Sequence, residues 1–330
     1  MRSVSAGGLV ALAVLAGCVA RPDLRGPLPV RNQHPAQLTV LHLDAASAAV
    51  LPAARTELRS SFTYSSLFLI GQAPTSSWVM DAEYLRAAGT ARVGLGGGLE
   101  LGAELALAHT TGGFLDDFII DYHDVFGLPD QDRDTNPRDQ FLVEGRRGGD
   151  VAWSVRRSDV ELLDLPLWLT WQLAAPGTDR LGVAVRAGVE LPTGDQERGY
   201  GNGEVDASAG VVLDYRTACV GWYAHAQHTF AGTPDPARRV GLAFQDVTSI
   251  GLGAELPLGR DLHALVQAEW ETSTLRELGP RAAGREQLFL WFGGRWQPDP
   301  AWHVEVGFGE DLRGLVSPDF SAWLAVAWRP

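Results

Sequence analysis

Period-two alternation in segments of about ten residues, recurring from residue 56 to the C-terminus, is the feature that most restricts this chain. Over 99–109, Leu99, Leu101, Ala103, Leu105 and Leu107 share one face, and Glu100, Gly102, Glu104 and Ala106 share the other. Residues 181–191 repeat the design, with Leu181, Val183, Val185, Ala187, Val189 and Leu191 opposite Gly182, Arg186, Gly188 and Glu190. Segments of this kind fall at 56–69, 78–94, 98–109, 161–173, 180–191, 204–215, 217–230, 246–256, 261–273, 286–297, 302–311 and 319–329. That makes about twelve, an even number, as bacterial single-chain barrels require. Strands of soluble domains average about five or six residues, whereas a tilted membrane strand needs about ten.

Connection lengths and aromatics support the same reading. Short connections at 95–97, 174–179, 216, 257–260 and 298–301 alternate with long ones at 110–160, 192–203, 231–245, 274–285 and 312–318. With the C-terminus on the periplasmic side, every long loop falls outside, the asymmetry of outer-membrane barrels. Trp171, Trp296, Trp302 and Trp328 sit on the apolar register beside short turns, where an amphipathic ring suits the membrane interface. A soluble sandwich or lipocalin-like barrel would also alternate, with its apolar face as core. Here the polar face mixes Gly, Ala and Ser with single charges, the composition of a narrow lumen. The expected fold is all-β: a transmembrane antiparallel β-barrel of about 12 strands, with 14 as the alternative, and one amphipathic helix in a long extracellular loop.

Composition narrows the class further. A mean hydropathy of -0.03, with no unbroken apolar span beyond the N-terminus, excludes a helical membrane protein. A formal charge of -13 argues against nucleic acid, whose phosphates demand a basic surface. Arg2, an apolar run from Leu9 to Ala16, and Leu15-Ala16-Gly17-Cys18 form an export signal resembling a bacterial lipobox. The expected organisation is a signal peptide at 1–17 with Cys18 as lipid anchor, a periplasmic or lumen-inserted segment at 18–55, and the barrel at 56–330. Pro22, Pro27, Pro29, Pro35 and Pro52 keep the second region irregular, and only residues 37–43 alternate briefly. Cys219 is the only other cysteine; with Cys18 removed or acylated, the chain has no internal disulfide.

The exception to period two is GGFLDDFIIDYHDVFG at 112–127. Leu115, Phe118, Ile119, Tyr122, Val125 and Phe126 recur at helical spacing, and Asp116, Asp117, Asp121 and Asp124 take another face. A helix in the longest external connection reads as a lid or plug, with Phe114, Leu115, Phe118, Ile119, Tyr122, His123 and Phe126 as its working residues. Its apolar face must be buried against the rim, the lumen wall or the outer leaflet.

Four motifs together resemble an uncharacterised family of Gram-negative outer-membrane β-barrels, a domain of unknown function. They are GPLPVRNQHP at 26–35, GGFLDDFIIDYHDVFGLP at 112–129, LPTGD at 191–195, and GFGEDL with SPDF within 307–320. LPTGD is also similar to a broader set of outer-membrane proteins linked to phenol-degradation pathways, which implies passage of small aromatic compounds. The family implies a fold and a location and brings no catalytic residue. Barrels of this kind commonly finish on an aromatic, whereas here Arg329 and Pro330 follow Trp328.

The lumen register carries Glu100, Glu104, Asp164, Arg186, Glu190, His263, Glu269, Arg295 and Glu305, together with Glu57, Arg59, Arg92, Asp206, Glu255 and His303. Opposite charges on neighbouring strands form a salt-bridge lattice or line a polar passage, and strand number alone does not decide between them. His123 lacks a hydroxyl nucleophile at helical offset, so a capped or solvated ring is expected. Asp130, Asp132 and Asp134 resemble the start of a calcium loop, but Thr135 and Phe141 stand where an EF-hand has Gly and Glu. Glu310 and Asp311 are candidate partners of Arg133 or Arg138; Arg146-Arg147 and Arg156-Arg157 are candidates for lipid phosphates. No cofactor, metal or catalytic residue is expected. Expected partners are outer-membrane lipids and lipopolysaccharide, the barrel-assembly machinery, and a small-molecule solute. Three roles stay open: a passive route for small solutes gated by the 110–160 loop, a plugged structural barrel, and an outer-leaflet lipid hydrolase.

Overall fold

The computed structural model describes residues 24–126, 133–312 and 317–330, without the side chains of Tyr122, His123 and Phe126. In chain order its elements are β1 (Thr56–Ala73), β2 (Ser76–Gly96), β3 (Leu99–Thr111), α1 (Asp116–Phe126), β4 (Leu142–Arg147), β5 (Asp150–Val155), β6 (Glu161–Leu162) and β7 (Leu165–Ala174). They continue with β8 (Leu181–Leu191), β9 (Asp206–Arg216), β10 (Gly221–Phe230), α2 (Asp235–Arg239), β11 (Val247–Pro257), β12 (Leu262–Glu271), α3 (Arg281–Gly284), β13 (Gln287–Trp296), β14 (Trp302–Asp311) and β15 (Phe320–Trp328).

Strands β7 to β15 pair antiparallel in sequence order. β15 returns to β1, β1 pairs with β2, β2 with β3, and β3 with β7. With β1, β2 and β3 they close a 12-strand antiparallel barrel, so no sheet edge is left to meet lipid. The alternation decides which way each side chain points. Leu58, Phe62, Leu101, Leu105, Leu324 and Val326 are exposed on the outside, while Glu57, Glu100 and Glu305 are buried within. An exposed apolar wall around a buried polar interior is the inverse of a soluble domain and calls for lipid as its solvent. Trp171, Trp222, Trp296, Trp302 and Trp328 all face outward near the short turns, and Trp302 stacks on Trp328 at 5.7 Å between centroids.

Three features lie outside the alternating pattern. The β1–β2 hairpin runs past 69 and begins again before 78, reaching Ala73 and Ser76. Leu67, Phe68 and Leu69 are buried on both faces there, which removes the alternation that would have marked the strand. Hairpin β4–β5, inside the 110–160 loop, extends this sheet by pairing with residues 76–81 of β2. Residues 37–43 do not form a strand: Gln37–Thr39 is a 3-10 turn. Cys219 lies in the turn before β10, not in a strand, and is disulfide-bonded, contrary to the expectation of a chain without a disulfide. Cys18 lies outside the described residues.

Above the barrel, loops build a dry core. Trp78, Trp153, Tyr200, Leu242, Phe244, Leu275 and Leu278 pack with one another and with Ala36, Leu38 and Val40 of the N-terminal segment. Trp153 stacks on Trp78 at 6.0 Å, so β5 helps to close the extracellular mouth.

Candidate functional site

Residues 24–51 run inside the barrel, up beside β11–β13 and down beside β8–β10 and β3. On the way up, the N–H groups of Arg25 and Gly26 donate to Glu255 Oε2 at 3.1 and 3.0 Å. Leu28 N donates to Gln267 Oε1 at 2.9 Å, and Asn32 Nδ2 to Glu271 Oε1 at 2.7 Å. At the apex, His34 stacks on Trp78 at 5.4 Å. On the way down, Leu41 N donates to Asp206 Oδ2 at 3.0 Å and Leu43 N to Gln227 Oε1 at 2.9 Å. Ser47 Oγ then donates to Asp214 Oδ2 at 2.5 Å and Leu51 N to Glu100 Oε2 at 2.9 Å. Irregular backbone survives at membrane depth only where protein satisfies its polar groups. Here β11, β12, β9, β10 and β3 supply the acceptors, two of them from β12 and two from β9. Pro27, Pro29 and Pro35 carry no N–H to satisfy.

Below the apex a belt of alternating charge crosses the periplasmic end. Glu100 meets Arg92 at 3.1 Å, Arg92 meets Glu57 at 2.8 Å, and Glu57 meets Arg59 at 3.5 Å. Arg59 pairs with Glu305, which Arg295 holds at 2.7 Å; Arg295 also holds Glu255 at 2.6 Å. Glu255 further accepts from Tyr223 Oη at 2.8 Å and has His263 Nδ1 at 2.8 Å. Arg329 pairs with Glu57. A buried ion is tolerated when its partners are fixed and its remaining sites filled. The salt-bridge reading of these residues thus describes the periplasmic half.

The other lumen residues engage the inserted segment or the loops. Arg86 pairs with Glu104. Arg186 donates to the Asp44 carbonyl at 2.5 Å and lies 5.9 Å over the Trp168 ring. His42 joins Glu269 at 2.6 Å and Asp44 at 3.1 Å. Burial alone would push its pKa down, but the Glu269 charge and these bonds raise it to about 10. Glu271 lies close enough to His42 and Glu269 for a shared ion, yet it already accepts from Asn32 and Gln37, and both His42 nitrogens are engaged. Asp164 accepts from Gly194 N at 2.8 Å and Asn202 N at 3.1 Å, pinning the loop that contains LPTGD and GYGNG. A Cβ on Gly201 would lie 2.5 Å from Asp164 Oδ1, so those motifs serve loop closure. Burial raises the Asp164 pKa to about 6 against those bonds. Glu190 is buried, with Oε2 unpaired among the described residues.

What this leaves open is small. The lumen cavity beside the inserted segment measures about 70 Å³ and is lined by Arg25, His42, Asp44, Arg59, Arg92, Glu100, Glu104 and Arg186 among others. It admits about two waters at roughly 30 Å³ each, whereas ligand sites usually span about 300 Å³ or more.

Helix α1 lies on the outer side of the wall, not over the mouth. Glu83, on the outward register of β2, accepts from Phe114 N at 2.9 Å and Leu115 N at 2.6 Å and also pairs with the Tyr64 hydroxyl. Gly113 precedes it with φ +85, and a Cβ there would collide with the Glu83 carboxyl. Arg133 bridges Asp116 to Asp319, the latter at 2.7 Å, and Arg138 meets Asp117 at 3.0 Å. Those arginines thus take acids other than Glu310 and Asp311. Ile119 is fully buried, Leu115 half-buried, and Phe114 and Phe118 are exposed; the Tyr122, His123 and Phe126 side chains lie outside the described residues, as do Asp130 and Asp132.

His228, on the outside of β10, has Nδ1 2.8 Å from the Thr248 hydroxyl and Nε2 3.8 Å from Asp246. The acid stands beyond hydrogen-bond reach of the ring, and the hydroxyl is a threonine's rather than a serine's, so the triad geometry is not met. Gln227 and Gln267, which hold the inserted backbone, and Asp214, which accepts from the Ser47 hydroxyl, were not among the candidate residues. Their polar character on the lumen register was the available signal.

Among solved structures, the chain is similar to the COG4313 outer membrane channel from Pseudomonas putida F1, with a TM-score of 0.56 and 11% identity over 88% of this chain and 100% of that one. It is also similar to the NanC porin (TM-score 0.47, 9% identity, 83% and 98% covered) and to the P. putida toluene transporter TodX (0.38, 11%, 90% and 92%). At these identities the likeness to the first establishes the fold and nothing finer. No curated protein matches the sequence. The closed, apolar-walled barrel is that of a protein of the Gram-negative outer membrane. A family model described as "Protein of unknown function (DUF3187)" matches residues 9–329, and the chain belongs to that family.

Proposed function

We propose that this barrel is a passive channel for small solutes, small aromatic molecules among them, and that its resting state is the plugged one. The observation that carries the reading is the cavity of about 70 Å³ beside a lumen segment held through hydrogen bonds and ion pairs, with apolar contacts at Leu28, Val30, Ala36, Leu38 and Val40. The polar contacts exchange for water at modest net cost, and the apolar ones part as residues 24–51 withdraw, while the strand-to-strand ladder of the wall stays paired. At the outer end, hairpin β4–β5 of the 110–160 loop acts as the gate. Its apolar underside with Trp78, Trp153 and Phe244 suits a flat aromatic guest.

The test is uptake of phenol-sized solutes into liposomes and conductance in planar bilayers, for the full chain and for a variant lacking residues 24–51. The expected result is slow uptake by the full chain and steady conductance by the deletion. A folded deletion variant that does not conduct would sink the channel reading.

A second reading, a permanently closed barrel that organises the envelope, draws support from the continuous charge belt. It predicts no uptake by the full chain and leakage only on deletion. The N-terminus belongs to the proposal as well: after removal of 1–17, acylation of Cys18 competes with a disulfide to Cys219, the one other cysteine, and palmitate labelling that Cys18→Ser abolishes decides for the lipid. We further propose insertion by the barrel-assembly machinery, with the exposed Arg156 and Arg157 facing lipopolysaccharide phosphates.

A further inference from the structure

We infer that helix α1 is an interfacial anchor whose outward face lies among the acyl chains of outer-leaflet lipid. Phe114, Phe118 and Val125 are 71%, 52% and 76% exposed; Phe118 and Val125, seven residues apart, share one side of the helix, and Phe114 stands just before its first turn. An apolar stripe of that kind would be an aggregation hazard in water. Here it continues a surface that already meets lipid. Phe114 lies 6.0 Å from Tyr64, Phe118 6.2 Å from Phe320, and Phe320 5.1 Å from Phe308. Tyr64, Phe308 and Phe320 occupy the outward registers of β1, β14 and β15.

The depth agrees. Phe320–Trp328 is nine residues; at roughly 3.3 Å per residue and a tilt of about 40°, that strand climbs about 20 Å from the periplasmic tryptophans. The apolar band of such barrels is about 25 Å tall, so the helix rests near its upper edge. Asp117 and Asp124 are exposed about a third of a turn from Phe118 and give the helix the polar side an interfacial helix turns toward the headgroups; Asp121, also exposed, lies at the border between the two. The mounting is rigid, because Glu83 fixes the first turn and the Arg133 bridge from Asp116 to Asp319 fixes its side. Of the apolar residues in this stretch, Phe114, Phe118 and Val125 are thus turned to lipid, while Ile119 packs against protein.

The experiment places a photoreactive benzoylphenylalanine at Phe118, whose exposed ring leaves room for the added benzoyl group, and in a second chain at Asp124 on the polar side. Both full-length proteins are irradiated in intact outer membranes and their adducts weighed. The expected result is a lipid acyl adduct from position 118 at several times the yield from 124. Equal yields, adducts on protein alone, or no adduct from 118 would overturn the inference.

Discussion

At the periplasmic end, the inserted segment meets Glu255, Arg295 and the belt that runs through Glu305, Arg59, Glu57 and Arg92 to Glu100. At the extracellular end, the same segment meets Trp78, Trp153, Phe244, Leu242 and Leu278 through Ala36, Leu38 and Val40. The two closures respond differently to water. An ion that loses its protein partner regains hydration when water can reach it, so a charged layer yields stepwise. An apolar layer gains nothing from partial wetting and holds until its area is exposed together. The lower half is therefore the part that can rearrange, and the upper half is the seal. A route opening from the periplasmic side meets the smaller resistance.

The sharpest way to break this contrast is Glu255→Ala. Five groups converge on that carboxylate: Arg25 N, Gly26 N, Tyr223 Oη, Arg295 Nη1 and His263 Nδ1. Removing it leaves Arg295 with Glu305 and the Gly26 carbonyl but deprives the other buried donors of their shared acceptor, at about 1–3 kcal/mol for each left unsatisfied. Urea unfolding should shift accordingly, and protease should reach residues 24–30. If neither changes, the belt does not hold the start of the segment.

Trp153→Ala attacks the other end. Loss of a buried tryptophan costs about 3 kcal/mol or more, but the damage should be confined to the seal. Hydrogen exchange is expected to quicken in residues 33–41 and stay slow at 24–28. Uniform acceleration along the segment would mean that the two closures are one cooperative unit.

A smaller effect comes from pH, with one histidine at each level. Burial against Trp78 holds His34 down to about 3 from an ordinary 6.5. Its neutral form therefore contributes fully above pH 6.5, and the contribution is lost as pH falls through about 3. His42, between Glu269 and Asp44, is raised to about 10; its contribution is full below 6.5 and lost as pH rises through about 10. Release of residues 24–51, followed by limited proteolysis, should be slowest near pH 6.5. His34→Gln should flatten only the acid limb, and His42→Gln only the alkaline one. A curve that both variants leave unchanged would exclude the pair as the source.

The wall was legible because its physics is periodic: Leu99–Thr111 or Leu181–Leu191 must show lipid one face and lumen the other at every second residue. The inserted segment was not, because its contacts run largely from main-chain N–H to Gln267, Gln227, Asp206 and Glu100, and backbone donors leave no pattern in side chains. Hairpin β4–β5 was hidden for a related reason. Ala152 and Trp153 are buried side by side, so alternation fails. In α1, periodicity identified an amphipathic helix but not the medium its apolar side meets. Phe118 reads the same whether its neighbour is a lumen wall or an acyl chain.

The smallest expected effect concerns the chain end. Arg329, after the last outward tryptophan, turns inward to Glu57 and extends the belt across the β15–β1 seam. Burial lowers its pKa against the pull of Glu57. Because Arg92 and Arg59 also serve Glu57, Arg329→Ala leaves that carboxylate paired and should cost only about 1 kcal/mol. The loss should appear as faster hydrogen exchange in Phe320–Trp328, with β7 and β8 unaffected. If the seam instead opens as widely as after Glu255→Ala, the belt is not a set of separable pairs. Its last member then closes the ring, and the periplasmic half is as cooperative as the apolar seal above it.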